Sequence, residues 1–224
     1  MGKLKDELKT KLGSITQIYI LTQELYFYTE YFHNPNTREE SDLIEESVHS
    51  IHLRFIKHIM FRTLINELAK LFSRSENDKY RLSAFIDSLS ESGHYRNLKF
   101  SKEKVVLWKE KLDNQSNVID SVLTLRSKVY AHTDFSLGFN NTDITFKEIK
   151  SLLDFALKII QEVYGTIFDT ELDAESGQFD RERFTMLSTL AKGEECITEE
   201  LTKEFMADIS KHKEQQQLTP KFFG

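Results

Sequence analysis

Val118-Ile-Asp-Ser-Val-Leu-Thr-Leu-Arg-Ser-Lys-Val-Tyr-Ala-His-Thr-Asp134 sets apolar residues at three- and four-residue steps, with no glycine or proline to interrupt them. That spacing is the pattern of an amphipathic helix. On a wheel turned by ~100° per residue with Val118 at zero, Leu125 falls at about −20°, Val129 at about 20°, Val122 at about 40° and Ile119 at about 100°. Asp120, Ser121, Thr124 and Ser127 take the other side. Arg126 breaks the division: at about 80° it lies in the middle of the apolar arc.

The whole chain is written in this style. Its 224 residues include only eight glycines and two prolines, where typical usage of ~7% and ~5% gives roughly 27. Sandwiches, barrels and linker-rich architectures consume more turn residues than that, so the chain is expected to be all-α. Seventeen Phe, eight Tyr and one Trp supply large apolar surfaces, and 29% charged residues supply a solvated exterior. The composition is that of a folded protein, long enough to bury a core without covalent staples.

The helical periodicity predicts a first helix over 4–32, a second over 41–72, a short one over 78–89, a fourth over 102–131, and a fifth opened by the capping box Thr145-Phe-Lys-Glu148. The first ends in Leu25-Tyr-Phe-Tyr-Thr-Glu-Tyr-Phe32, apolar on nearly every side, which requires cover beyond the core, such as a second copy of the chain. The second carries the stripe Ile44, Val48, Ile51, Phe55, Ile59, Ile65, Leu68 and Phe72, interrupted by His58 and Arg62. Five helices with short joints make a bundle over residues 1–168. Residues 169–224 read as a loosely attached appendage: an acidic linker, helices over 181–192 and 199–211 separated at Gly193 and capped by Thr198, and a loose tail.

Charge sharpens that division. The net charge is −6, yet residues 1–168 hold 23 acids and 23 bases, while residues 169–200 hold ten acids and three bases. A neutral body leaves room for a local basic cleft without being the strongly basic footprint of a DNA binder. The acidic segment is expected to lie over such a cleft as an inhibitor or to bind a partner. Cys196 is the lone cysteine, so no internal disulfide is possible and a reducing, cytoplasmic setting is expected. The charged N-terminus lacks the apolar stretch of a signal peptide, and no apolar run is long enough to span a membrane.

A permanently charged guanidinium in an apolar seam needs a carboxylate, backbone carbonyls, or a cleft that admits an anion. His132 follows Arg126 by six positions, where the helix should end, and Thr133 and Asp134 can bond its imidazole. Arginine forks onto phosphate oxygens and histidine exchanges a proton near neutral pH. Together they are the minimum kit for metal-free RNA cleavage, in which the 2′-hydroxyl is the nucleophile. On an unbroken helix the two side chains diverge by about 120°. Joint action therefore requires unwinding near Ala131 or a histidine from a second subunit.

Leu125-Arg-Ser-Lys-Val-Tyr-Ala-His-Thr-Asp134 resembles the signature of the HEPN superfamily, an arginine followed after four to six residues by a histidine, and is closest to its abortive-infection AbiU-like branch. Phe61-Arg-Thr-Leu-Ile-Asn-Glu-Leu-Ala-Lys-Leu-Phe-Ser-Arg-Ser75 and the capped helix at Thr145 are similar to the same branch. The likeness covers roughly residues 10–168. It implies a helical bundle that dimerises with both Arg-His motifs facing one cleft, and metal-independent endoribonuclease activity of a toxin or antiphage effector. By the resemblance Arg126 holds the scissile phosphate and His132 acts as acid or base. Ser127 stands where active members often carry Asn, Asp or His. Asp134 stands where nucleotidyl-modified members carry tyrosine, which argues against an antitoxin acting by that modification; another antitoxin or partner protein stays open.

Around the pair, Ser127, Lys128, Tyr130, Asp134, His58 and Arg62 are the candidates for supporting or RNA-binding roles, with a solvated charge, a packed aromatic and a hydrogen-bonded core pair as their ordinary alternatives. Glu46-Ser-Val-His49 has the Glu-x-x-His spacing of a carboxylate-bridged metal site, but the matching Glu91-Ser-Gly-His94 sits at a helix end, so no metal or other cofactor is expected. RNA and a second copy are the expected partners, and DNA and membrane are not. The alternative function is a non-catalytic HEPN-like module that binds RNA or protein, with Arg126 and His132 as structural polar contacts.

Overall fold

The computed structural model describes residues 2–47, 49–131, 144–172 and 177–217, with the backbone alone at 128–131, 177–185 and 212–217. Among these residues there are eight α-helices and no strand: α1 (Gly2–His33), α2 (Arg38–Glu45), α3 (Ser50–Leu71), α4 (Leu82–Leu89), α5 (Lys102–Asn114), α6 (Ser116–Ala131), α7 (Phe146–Val163) and α8 (Gly177–Gln217). The chain is all-α, as its composition requires.

One core joins α1 and α3–α7. It is built from Leu8, Leu12, Ile15 and Tyr19 of α1, Leu64, Ile65 and Leu68 of α3, Phe85 of α4, Trp108 of α5, Val122 of α6, and Leu153, Ala156 and Ile160 of α7, all essentially inaccessible. α7 buries one apolar face, Ile149, Leu153, Ala156, Ile160 and Val163, and Ile167 just beyond it is buried too. Its start is fixed by the capping box: Thr145 Oγ1 accepts from the Glu148 amide at 3.2 Å, and Glu148 accepts from the Thr145 amide at 2.7 Å. Together these satisfy two amides that a helix N-terminus otherwise leaves orphaned.

A second cluster covers the aromatic end of α1. Tyr31 and Phe32 pack with Leu43 and Ile44 of α2, Leu53 of α3 and Leu187 of α8. The cover that this greasy end demanded is thus supplied by the chain's own helices. Glu40 is buried there, and its carboxylate accepts from the Tyr31 hydroxyl at 2.8 Å and from the Asn36 amide at 2.9 Å. Two good donors offset the cost of burying that carboxylate.

The short helix expected over 78–89 starts only at Leu82, and three longer elements depart from the sequence expectation. The helix expected over 41–72 is two helices, because the Glu46 and Ser47 amides both turn back to Asp42 O and Ser50 N restarts the chain from Ser47 O. The restart shifts the phase, so Ile51, Phe55 and Ile59 of the expected core stripe are exposed, at 67%, 50% and 39%; Val48 lies outside the described residues. The helix expected over 102–131 breaks at Gln115, whose amide is shared between Lys111 O and Leu112 O and whose side chain donates to Ser151 Oγ at 3.0 Å. The two helices expected beyond 181 are one 41-residue helix. Gly193 sits inside it, since a single glycine costs a helix only about 1 kcal/mol. Thr198 donates to Glu194 O at 2.9 Å as an ordinary mid-helix hydroxyl instead of capping a new start.

Candidate active site at the seam of α3 and α6

Ile119 lines one depression with Phe72, and Asp120 pairs with Arg74 at 2.8 Å, so the start of α6 meets the end of α3. The two helices also share an extended contact, which is possible only if α6 runs back along α3. From Asp120 to Ala131 the rise is about 16 Å, which brings the end of α6 level with Arg62. The antiparallel pairing thus sets the helix that carries Arg126 alongside the second half of α3.

Arg126 stands between buried Val122 and Ile119, on the arc the wheel assigns it, yet its side chain is 34% exposed. The long stem follows the apolar wall and carries the charge outward, the usual behaviour of arginine at the rim of a core. Its guanidinium Nη1 lies 3.8 Å from Asp78 Oδ2. Asp78 is held in place by the segment after α3. The Ser73 hydroxyl donates to its carboxylate, Ser73 Oγ accepts from the Ser75 amide at 3.0 Å, and the Asp78 amide donates to Ser75 O at 3.1 Å. Ser73 is buried, so this small cradle is part of the body.

Ser127 faces away from that cradle and its hydroxyl donates to Thr124 O at 2.8 Å within its own helix. His58 and Arg62 are half-buried on α3, one turn apart. Burial pulls the His58 pKa down, and the charge of Arg62 beside it acts in the same sense. Both effects favour the neutral imidazole at pH 7. Lys128 and Tyr130 belong to the last turn of α6, known by its backbone, and His132 and Asp134 lie outside the described residues. The structure therefore brings Arg126 to Asp78, and holds His58 and Arg62 beside each other on α3.

Two polar residues of this region escaped the sequence reading. Asp78 is one; its only signal was the Ser73-x-Ser75 pattern before it. His33 is the other. It closes α1 between the rings of Phe61 at 5.9 Å and Phe146 at 5.3 Å, with Nδ1 2.7 Å from Thr29 O. Burial lowers its pKa to about 4, outweighing the carbonyl, which pulls the other way. The ring is neutral at pH 7, so Nδ1 donates its hydrogen to the carbonyl.

Glu46 and His49 do not share a helix face, because Glu46 ends α2 and His49 precedes α3. His94 Nε2 is 3.2 Å from Glu7. Among the described residues no group of three or more His, Cys, Asp or Glu is placed to hold a metal ion, and no helix is long and apolar enough to cross a membrane.

A family model for AbiU2, a HEPN family, matches residues 5–185, from the first turns of α1 into the start of α8. No curated protein and no solved structure matches the chain.

Proposed function

The chain belongs to the HEPN AbiU2 family, and from that membership we propose that it is a metal-independent endoribonuclease acting as an abortive-infection effector in the cytoplasm. The observation that carries the reading is Arg126: a guanidinium on the apolar arc of α6, one-third exposed and, among the described residues, held by one long contact, six residues before His132. A phosphate oxygen competes well for such a group, because two short forked bonds replace one at 3.8 Å.

In this reading Arg126 grips the non-bridging oxygens of the scissile phosphate and stabilises the charge that builds there. His132 takes the proton of the 2′-hydroxyl as that oxygen attacks phosphorus, and the same histidine of a second copy gives a proton to the departing 5′-oxygen. The products are a 2′,3′-cyclic phosphate end and a 5′-hydroxyl end. A homodimer supplies both histidines to one cleft, and no metal or cofactor enters. Lys128, Tyr130, Asp134, Arg62 and His58 line the approach for the RNA strand, with Ser127 supporting the helix beside them.

The Asp78 contact favours a second reading, in which Arg126 is a structural partner of the cradle after α3 and the protein binds RNA or another protein without cleaving it. Purified protein incubated with tRNA and mRNA in EDTA separates the two. Cleavage that vanishes in Arg126→Ala and in His132→Ala, with helical content retained, supports the enzyme. Cleavage unchanged in either variant removes that residue from the site.

A further inference from the structure

Past Leu187, which is buried in the second cluster, and Ala191, which packs against it, α8 keeps one apolar side. Taking Leu187 as zero on a helical wheel, Phe205 returns to about 0°, Leu201 to about −40° and Ile197 to about −80°. The docked face therefore continues along the helix. Ile197, Leu201 and Phe205 are 56%, 60% and 66% exposed, and Met206 is exposed beside them. Acids surround these apolar residues and, at Glu194 and Asp208, share their side: residues 194–208 hold six acids and one base.

The opposite surface exists on the same chain. Ile51, Phe55, Ile56 and Ile59 of α3 are exposed, and residues 49–63 around them hold bases and no acid, with exposed Arg54, His49 and His52 and with Lys57 paired to Glu45 of α2 at 3.4 Å. An acidic segment carrying exposed apolar residues matches an apolar patch set among bases, whereas two α8 arms laid together would oppose like charges.

We propose that α8 is an exchange arm: residues 194–208 of one copy lie on the exposed α3 face, Ile51 to Ile59, of a second copy. In a twofold dimer the contact forms twice, which lets a few turns of helix contribute to an interface of standard size. The inference rests on the homodimer of the functional reading but not on RNA cleavage.

The test uses two full-length variants in a Cys196→Ser background, since Cys196 is exposed on the arm itself. One carries Leu201→Cys, the other Ile59→Cys with a tag that changes its mass. After mixing and subunit exchange, mild oxidation is expected to yield a heterodimer band only when both cysteines are present. A prominent link within the Leu201→Cys population alone means that arms pair with each other, and overturns the proposal. So does the absence of a heterodimer, or a monomeric wild-type protein at micromolar concentration. As a second measurement, Leu201→Glu with Phe205→Glu, both at exposed sites, is expected to weaken dimerisation at least tenfold with helical content unchanged; an unaltered dimer constant sinks the idea. Neither readout is catalytic, so a failed nuclease assay and a failed arm contact are told apart.

Discussion

Arg126 and Asp78 meet through one nitrogen and one oxygen at 3.8 Å, about an ångström longer than a charge-assisted hydrogen bond, although Asp78 is otherwise firmly held by Ser73. A contact this long in a one-third-exposed pair is worth less than about 1 kcal/mol. Asp78→Asn is accordingly expected to cost little in urea unfolding. In RNA filter binding it should tighten affinity severalfold, because the guanidinium loses its competitor. Weaker RNA binding in this variant would mean that Asp78 orients Arg126, and would count against the exchange of carboxylate for phosphate. Arg126→Lys should lose cleavage by at least about 100-fold, since an ammonium cannot fork onto a phosphate.

His33 makes stability depend on pH. Its folded-state pKa of about 4 lies below the ordinary value of 6.5, so the unfolded chain takes up a proton first as pH falls. The stabilisation is complete above pH 6.5 and is lost as pH falls through the folded value, a change of up to about 3 kcal/mol. In His33→Phe the slope of unfolding free energy between pH 6.5 and 5, where few carboxylates titrate, should flatten. An unchanged slope would assign the dependence elsewhere.

Gly93 cannot carry a side chain. A Cβ there would sit 2.4 Å from the backbone oxygens of Asp87 and Ser88, where Tyr95 N also returns to Ser88 O at 2.8 Å. Backbone must move to relieve such a clash, so Gly93→Ala is expected to destabilise by about 1–3 kcal/mol, read as a lower Tm. Gly193→Ala, which meets nothing within 4 Å inside α8, should stabilise by up to about 1 kcal/mol.

Leu187 is the fully buried residue by which α8 joins the second cluster. Leu187→Ala should cost about 2–5 kcal/mol of that docking. The expected readout is faster proteolysis of residues 177–217 with the core of α1 and α3–α7 still protected. Uniform loss of protection across the chain would show that α8 and the body unfold together.

The all-α architecture was legible because it follows from a shortage that counting detects, and α7 because its cap and face are both written locally. The breaks at Glu46–His49 and Gln115 were not, since neither holds a glycine or proline; they arise from backbone bonds shared at Asp42 O and at the Gln115 amide. Conversely Gly193 looked like a stop and is not one, because neighbouring turns carry the helix through it. For Arg126 the wheel found the right face, but burial depends on where a long side chain ends, and a Cα direction does not report that. Asp78 was invisible for a related reason: its role is created by the fold of the segment after α3. His132 and Asp134 remain readings of sequence alone, as they lie outside the described residues.

The uninterrupted run of α8 has a mechanical side. Leu187 to Gln217 is thirty residues, about 45 Å of helix, anchored near its start where Leu187 and Ala191 join the second cluster. A tilt of about 10° at that anchor sweeps the far end through about 8 Å. Repacking around Leu187, Tyr31 or Phe32 is therefore geared up along the rod, and modest changes where the arm is rooted decide where its tip can reach.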